Sequence, residues 1–418
     1  MSSSDDSSSL HWSRGPGARS AGAGVNDRGM SGQTETTAPR RRRWWLWVPL
    51  ALVLVVVAAV LGVSWYASGL IADGYRADQP EAPYPLRVVS ADEQRISYQV
   101  AEGEDPPQDS GFQSVRTEDG TFVLTGPAVQ TQADVSTRPV EQTVGDAPAA
   151  GDPARLDSWY YPKDPSTLGI DFTDVMVPGP LGDYPAWYIP GSGSTWIIFT
   201  HGRGAEPREG LRQLSVTESL GYPTLMISYR NDEDAPATDG LVRFGQEEWP
   251  DLEAAVQYAL DNGATDVILT GASTGGAISL ALLENSALAD RVRALFFDSP
   301  ALAMGSVVST RGAEMGYPGI VLGLGKWLAQ LRFDLDWDAM DYTSAIDDIT
   351  MPALMLHSEE DGTIPYEAVA PVYDQMAGNP DIELHIVEDA EHVGVWNSYR
   401  DDYTSWLTDF LAHVGSAP

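Results

Sequence analysis

The chain has 418 residues, enough to bury a large core, with 60 acidic against 25 basic side chains and a formal charge of −35. So acidic a surface repels phosphate backbones, which excludes nucleic acid as an expected partner and leaves solubility as its plainest role. There is no cysteine. Disulfides, thiolate metal sites, a cysteine nucleophile and a lipid-modified cysteine are excluded together.

In chain order, residues 1–39 are rich in Ser, Gly, Asp and Thr and nearly free of large apolar side chains, which predicts disorder. Arg40 to Arg43 form a basic block directly before an uncharged run, WWLWVPLALVLVVVAAVLGVSWY, from Trp44 to Tyr66. A helix needs about 20 apolar residues to cross a bilayer, so the run is long enough. Trp44, Trp45 and Trp47 at one end, with Trp65 and Tyr66 at the other, are placed to sit at the two headgroup levels. The positive-inside bias makes residues 1–43 a disordered cytoplasmic tail, residues 44–66 a transmembrane helix in contact with the lipid bilayer, and the remainder extracytoplasmic at the cell membrane. A cleaved signal peptide is the competing reading. The long leader, the long apolar run and the lack of an A-x-A site after it favour an uncleaved anchor.

Residues 67–160 read as a linker and a small, partly β region, with strand-like runs at Arg95–Val100 and Thr121–Leu124 between proline-rich stretches. From residue 161 to 418 the pattern becomes that of one domain. Phe172–Val177 and Tyr184–Ile189 flank a Pro/Gly-rich turn and predict a hairpin. Apolar runs then follow at Trp196–Thr200, Thr224–Ser228, Val267–Thr270, Ala294–Phe297, Ala353–His357 and Ile382–Val387. Helical periodicity lies between them, at Trp249–Leu260 and Thr274–Leu283, and again at Trp396–Phe410. Continuous apolar strands alternating with helices predict an α/β fold with a mostly parallel sheet covered on both faces. Residues 301–350 break the rhythm and predict a helical cap.

The chemistry-bearing residues fall at strand ends. Gly271-Ala272-Ser273-Thr274-Gly275-Gly276 follows a strand and opens a helix, the strand–turn–helix setting that a nucleophile elbow requires. A serine hydroxyl is a weak nucleophile and needs a base. Of six histidines, His11 lies in the tail, His413 at the carboxy terminus, His385 inside a strand, and His201 and His357 directly after strands. His392, in the loop Asp389–Gly394 after the last strand, is the candidate base. Asp361, just past the penultimate strand, is the favoured acid to orient its imidazole, with Glu359, Glu360 and Asp298 as alternatives. The loop His201-Gly202-Arg203-Gly204 follows the first core strand. Its Arg203 backbone N–H, with that of Thr274, is the expected pair of oxyanion donors. Ser228–Asp232 and Glu247–Trp249 are weaker candidates to line a site, and salt bridging or helix-end stabilisation explains them equally well. No His/Asp/Glu cluster has metal spacing and no glycine-rich loop resembles a phosphate cradle, so no cofactor or metal is expected.

The ordered set HGRG, GASTGG, HSEEDGTIP and EHVGVW resembles the α/β-hydrolase superfamily, in the branch of prolyl-oligopeptidase-like, serine-aminopeptidase-like and esterase enzymes. The likeness spans about Asp171 to Val414. In the acid motif, relatives commonly have HG where this chain has His357-Ser358. The resemblance implies a serine hydrolase that forms an acyl-enzyme through Ser273, His392 and Asp361. Its substrate would be a carboxylic ester or related small-molecule or peptide acyl compound outside the cytoplasm. A peptidase or aminopeptidase, an envelope acyltransferase, and a silent hydrolase fold serving as an anchored binding protein or assembly scaffold are the alternatives. The oligomeric state is left open.

Overall fold

The computed structural model describes residues 44–80, 82–104, 111–132 and 134–416. The expected cytoplasmic tail, residues 1–43, with its arginine block and His11, lies outside the described residues. A 3-10 turn at Trp44–Leu46 leads into helix α1, Val48–Asp73. The helix is long and apolar enough to cross a membrane. It runs seven residues past Tyr66, the expected end, because Ser64, Ala67, Ser68 and Ala72 pack against the body of the protein and support the extra turns.

The region expected to be linker and partly β is a barrel. Strands β1 (Leu86–Ala91), β2 (Arg95–Val100), β3 (Gln113–Thr117), β4 (Phe122–Thr125), β5 (Gln130–Gln132), β6 (Val135–Val144) and β7 (Pro153–Asp157) pair antiparallel in the order β2-β1-β7-β3-β4-β6-β5. Pairing of Arg95–Gln99 with Val135–Pro139 closes six of them into a ring, which leaves no open edge between β2 and β6. The interior holds Leu86, Val88, Ile96, Tyr98, Val115, Val123 and Ala154. The long β6 serves three partners, β2 and β5 along its first half and β4 along its second.

The second sheet has eight strands: β8 (Thr173–Gly179), β9 (Gly182–Ile189), β10 (Thr195–Thr200), β11 (Thr224–Ile227), β12 (Asp266–Ala272), β13 (Val292–Asp298), β14 (Ala353–Ser358) and β15 (Ile382–Val387). Their order is β15-β14-β13-β12-β10-β11-β9-β8, parallel except for the β8–β9 hairpin and its junction with β11. Side chains alternate between two buried faces. Trp196, Ile198, Val267 and Leu269 face one core with helices α3 (Trp249–Asp261), α4 (Thr274–Asn285) and α7 (Tyr366–Met376). Ile197, Ile268, Phe296 and Leu356 face the other, with Tyr403, Leu407 and Leu411. Burial on both faces is why these strands are apolar throughout instead of alternating with polar residues.

Helix α2 (Leu211–Ser219) follows the first core strand and its loop. The segment expected as a cap, residues 301–350, holds α5 (Met304–Glu314) and α6 (Gly319–Phe333), followed by a 3-10 turn at Ser344–Asp348. The carboxy-terminal helix is split at Tyr399 into α8 (Val395–Ser398) and α9 (Arg400–Ser416).

Candidate active site

Strand β12 ends at Ala272 and helix α4 begins at Thr274, so Ser273 alone makes the turn. It does so at φ 50°, ψ −110°, a backbone that an L-residue adopts only under strain. Two contacts hold it there: its N–H donates to Asp298 O at 2.9 Å, and its carbonyl accepts from Ala301 N at 3.1 Å. The flanking glycines are required by space. A Cβ on Gly275 would fall 2.0 Å from Thr200 O, and one on Gly271 would fall 2.5 Å from Gly275 C. The turn therefore presses helix and strand backbones together and presents the serine at the strand's carboxyl end.

The loop after β10 runs beside it, where a Cβ on Gly202 would lie 3.3 Å from Ser273 Cβ. This loop is fixed by buried polar groups. The Gly202 N–H donates to Glu209 Oε2 at 2.8 Å, and its carbonyl accepts from His201 Nδ1 at 2.8 Å and Tyr229 Oη at 3.2 Å. With His201 Nε2 at 2.9 Å from Asp232 Oδ2, both ring nitrogens face acceptors. Burial pulls the pKa of His201 down, but the Asp232 carboxylate outweighs it and leaves it raised. The His201 ring is stacked on Tyr229. The backbone N–H groups of Arg203 and Thr274 make no hydrogen bond among the described residues, and Thr274 is the first residue of its helix. Two free donors flank the serine.

His392 Nδ1 lies 2.7 Å from Asp361 Oδ2. The other oxygen of Asp361 accepts the Thr363 and Ile364 N–H groups, each at 2.7 Å. Burial would raise its pKa, but the His392 ring and these donors hold it below the usual carboxylate value. His357, 3.9 Å from the same carboxylate, is driven down to about 4 by burial and stays neutral. Glu359 and Glu360 are exposed. Asp298 is buried at the end of β13 and is pushed up to about 6 by burial, with Arg212 and His392 opposing.

Four side chains hold the histidine loop, and of these only Ser358 falls within one of the sequence motifs. Ser358 Oγ accepts the Ala390 N–H at 3.0 Å, and Ser299 Oγ accepts the Val393 N–H at 3.1 Å. Arg212 donates to Val393 O at 2.7 Å and to Asn397 Oδ1 at 3.1 Å. Asn397 Nδ2 in turn donates to Phe112 O and Ser158 O in the barrel segment. Ser358, the departure from the HG pattern, ties the acid loop to the histidine loop.

A cleft of about 150 Å³ brings these parts together, with Ser273, His392, Gly202, Arg203, Ser158 and Trp159 in its lining. Asp361 is behind it, fully covered. The last two lining residues leave the barrel's final strand. They are held by Arg208, which donates to Asp157 Oδ2 at 3.0 Å and lies over the Trp159 ring at 4.2 Å. No sequence motif announces that wall. None of the weaker candidates lines the cleft: Tyr229 and Asp232 brace the Gly202 loop behind it, Arg230 is paired with Asp251 at 2.8 Å, and buried Glu248 accepts the Arg243 and Gly245 N–H groups.

Residues 213–416 match the prolyl oligopeptidase family. The uncharacterized protein YqkD of Bacillus subtilis is 23% identical over 254 residues, which cover 59% of this chain and 82% of that one. Among solved structures, an esterase of Pyrococcus furiosus is 18% identical with a TM-score of 0.46, over 60% of this chain and 94% of its own. Est1E of Butyrivibrio proteoclasticus, solved with ferulic acid bound, is also 18% identical with a TM-score of 0.46, over 58% of this chain and all of its own.

Proposed function

We propose that the chain is a serine hydrolase of the α/β-hydrolase type that cleaves carboxylic esters outside the cytoplasm through an acyl-enzyme on Ser273, a reading supported by the match of residues 213–416 to the prolyl oligopeptidase family. The observation that carries this reading is the shared cleft. A strained serine and a histidine already oriented by a buried carboxylate line one small space.

In the mechanism, Ser273 Oγ attacks the ester carbonyl carbon while His392 Nε2 takes its proton. Asp361 keeps the proton of His392 on Nδ1 and stabilises the imidazolium that forms. The carbonyl oxygen becomes an oxyanion held by the N–H groups of Arg203 and Thr274, with the amino terminus of α4 favouring the negative charge. His392 returns its proton to the departing alkoxide, and the alcohol leaves. Water, deprotonated by His392, then attacks the acyl-serine, and the acid departs as Ser273 regains its proton. Helix α1, with its basic block on the amino-terminal side, supports a single-pass anchor with the hydrolase domain on the outer side.

A peptidase reading is favoured by the family matched over residues 213–416. The two share every step and differ in the leaving group. Labelling of the full chain in detergent with a fluorophosphonate probe, beside Ser273→Ala, tests the nucleophile. Labelling confined to the parent supports it, with ester turnover in the variant falling roughly 10⁴-fold or more. A folded parent that does not label removes Ser273 from the chemistry. Aryl esters turned over faster than aminoacyl amides support the esterase reading, and the reverse order installs the peptidase.

A further inference from the structure

Helix α6 carries two unlike faces. One, formed by Val321, Gly325 and Ala329, is buried, and its Gly325 meets the last turns of α1. A Cβ on Gly325 would lie 3.4 Å from Ala67 Cβ and 3.7 Å from Ser64 O, so small residues let the two helices meet closely. Arg332 fastens the contact: its guanidinium stands 3.7 Å from the Trp65 ring centre and donates to Trp65 O and Ser68 Oγ. The opposite face carries Ile320, Trp327 and Leu331, which are 66%, 55% and 64% exposed. Their spacing of seven and four residues puts them on one stripe.

That stripe is unlike the rest of the surface. From Met315 to Phe333 there is no acidic residue, in a chain with 60 of them. The two cations of the segment are turned away: Lys326 Nζ donates to Gly305 O and Ser309 Oγ in α5, and Arg332 reaches α1. What is left outside is uncharged, and Gln330 is the polar side chain exposed beside the apolar stripe. Its depth is fixed by its partner, because Trp65 and Tyr66 form the aromatic belt that sits at headgroup level when α1 spans a bilayer. Helix α6 lies against that belt and the turns beyond it, the level at which an amphipathic helix rests in an interface.

We propose that the Ile320, Trp327 and Leu331 face of α6 is embedded in the headgroup layer of the leaflet from which α1 emerges, a second membrane contact that delivers lipid-borne acyl substrates to the cleft. The inference rests on the reading of α1 as a membrane anchor. The substrate class follows from how short the path is. Arg203 Nη1 donates to Arg76 O at 3.1 Å, and Gly204 approaches Gln79 so closely that a Cβ there would be 2.7 Å from its Cγ. The loop bearing an oxyanion donor therefore touches the six residues after Asp73, which at full stretch reach about 20 Å. An amphiphile held at the interface by its apolar tail has at most this distance, and the roughly 12 Å of helix from Trp65 to Asp73, to bridge to the cleft.

The absence of native cysteine makes a direct test available. Single-cysteine variants of the full chain, Ile320→Cys, Trp327→Cys and Leu331→Cys in α6, Val57→Cys in α1 and Ser405→Cys on α9, would carry an environment-sensitive fluorophore in liposomes containing lipids spin-labelled at both headgroup and mid-chain depth. Each variant would first be matched to the parent in melting temperature. The expected result is loss of fluorescence at the three cap positions and at Val57, with Ser405 unchanged. Quenching at Val57 with cap positions as bright as Ser405 overturns the proposal and leaves the anchor intact. No quenching at Val57 overturns the anchor itself. Cap emission that shifts with protein density but not with quencher assigns the face to a second copy, and also overturns the proposal.

Discussion

Ser273 and His392 reach the same cleft by opposite means. The serine is set by backbone against backbone: glycines 271, 275 and 276 leave no room for a Cβ, and the strand, turn and helix that carry it are consecutive in sequence. The histidine sits on a loop held by side chains from four distant places, Ser299, Ser358, Arg212 and, through Asn397, the barrel segment. A site assembled in this way has one end that tolerates no change of volume and another that tolerates volume but depends on each hydrogen bond. The two ends should fail differently.

The largest effect belongs to the serine end. Gly275→Ala places a methyl group 2.0 Å from Thr200 O, with backbone on both sides and nothing flexible to yield. The expected cost is above about 4 kcal/mol, enough to abolish folding, measured as loss of the cooperative melt. A variant that melts like the parent but has lost only probe labelling would mean the turn is not tightly packed, and would erase the contrast with the histidine end.

Between the two ends stands Asp298, whose carbonyl accepts the Ser273 N–H and whose carboxylate accepts the Ser299 hydroxyl. Burial raises its pKa to about 6 in the folded chain, above its unfolded value. Below about pH 4 both states are protonated and the group costs nothing. As pH rises toward 6 the unfolded chain loses a proton that the native one keeps, so stability falls, and above 6 the cost is complete. A shift of this size is worth about 3 kcal/mol. Asp298→Asn is therefore expected to melt with the parent near pH 4 and above it at pH 8. A constant difference across that range would show that the charge of Asp298 is fully compensated by Arg212.

The same contrast governs what the sequence could reveal. The elbow is one continuous run of six residues between a strand and a helix, so Ser273 is legible from it. The parallel strands are equally legible, since burial on both faces makes each an unbroken apolar run. Asp361 and His392 follow from strand order and elimination. The clamp on His392 does not, because Ser299, Arg212 and Asn397 belong to no local pattern and come together only through the fold. The barrel is hidden for a related reason. Its strands are short and polar on one side, and the pairing that closes it joins residues about forty apart. Trp159 on the cleft wall depends on that closure.

Ser358 offers the smallest effect and the sharpest test of how the histidine end works. Its hydroxyl accepts the Ala390 N–H at 3.0 Å and the Glu360 N–H at 3.3 Å, so it links acid loop to histidine loop without touching the cleft. Ser358→Gly restores the residue common among relatives and removes both acceptors. The expected loss of stability is about 1–2 kcal/mol, since two buried or half-buried N–H groups lose their partners. Activity should fall through kcat, with KM nearly unchanged, because the substrate-lining residues stay in place while the His392 ring is less well held. The rate of fluorophosphonate labelling should fall in the same proportion, as it depends on the same base. Unchanged labelling with lowered stability would mean that Ser299 and Arg212 suffice to hold the loop, and that Ser358 serves the acid strand alone.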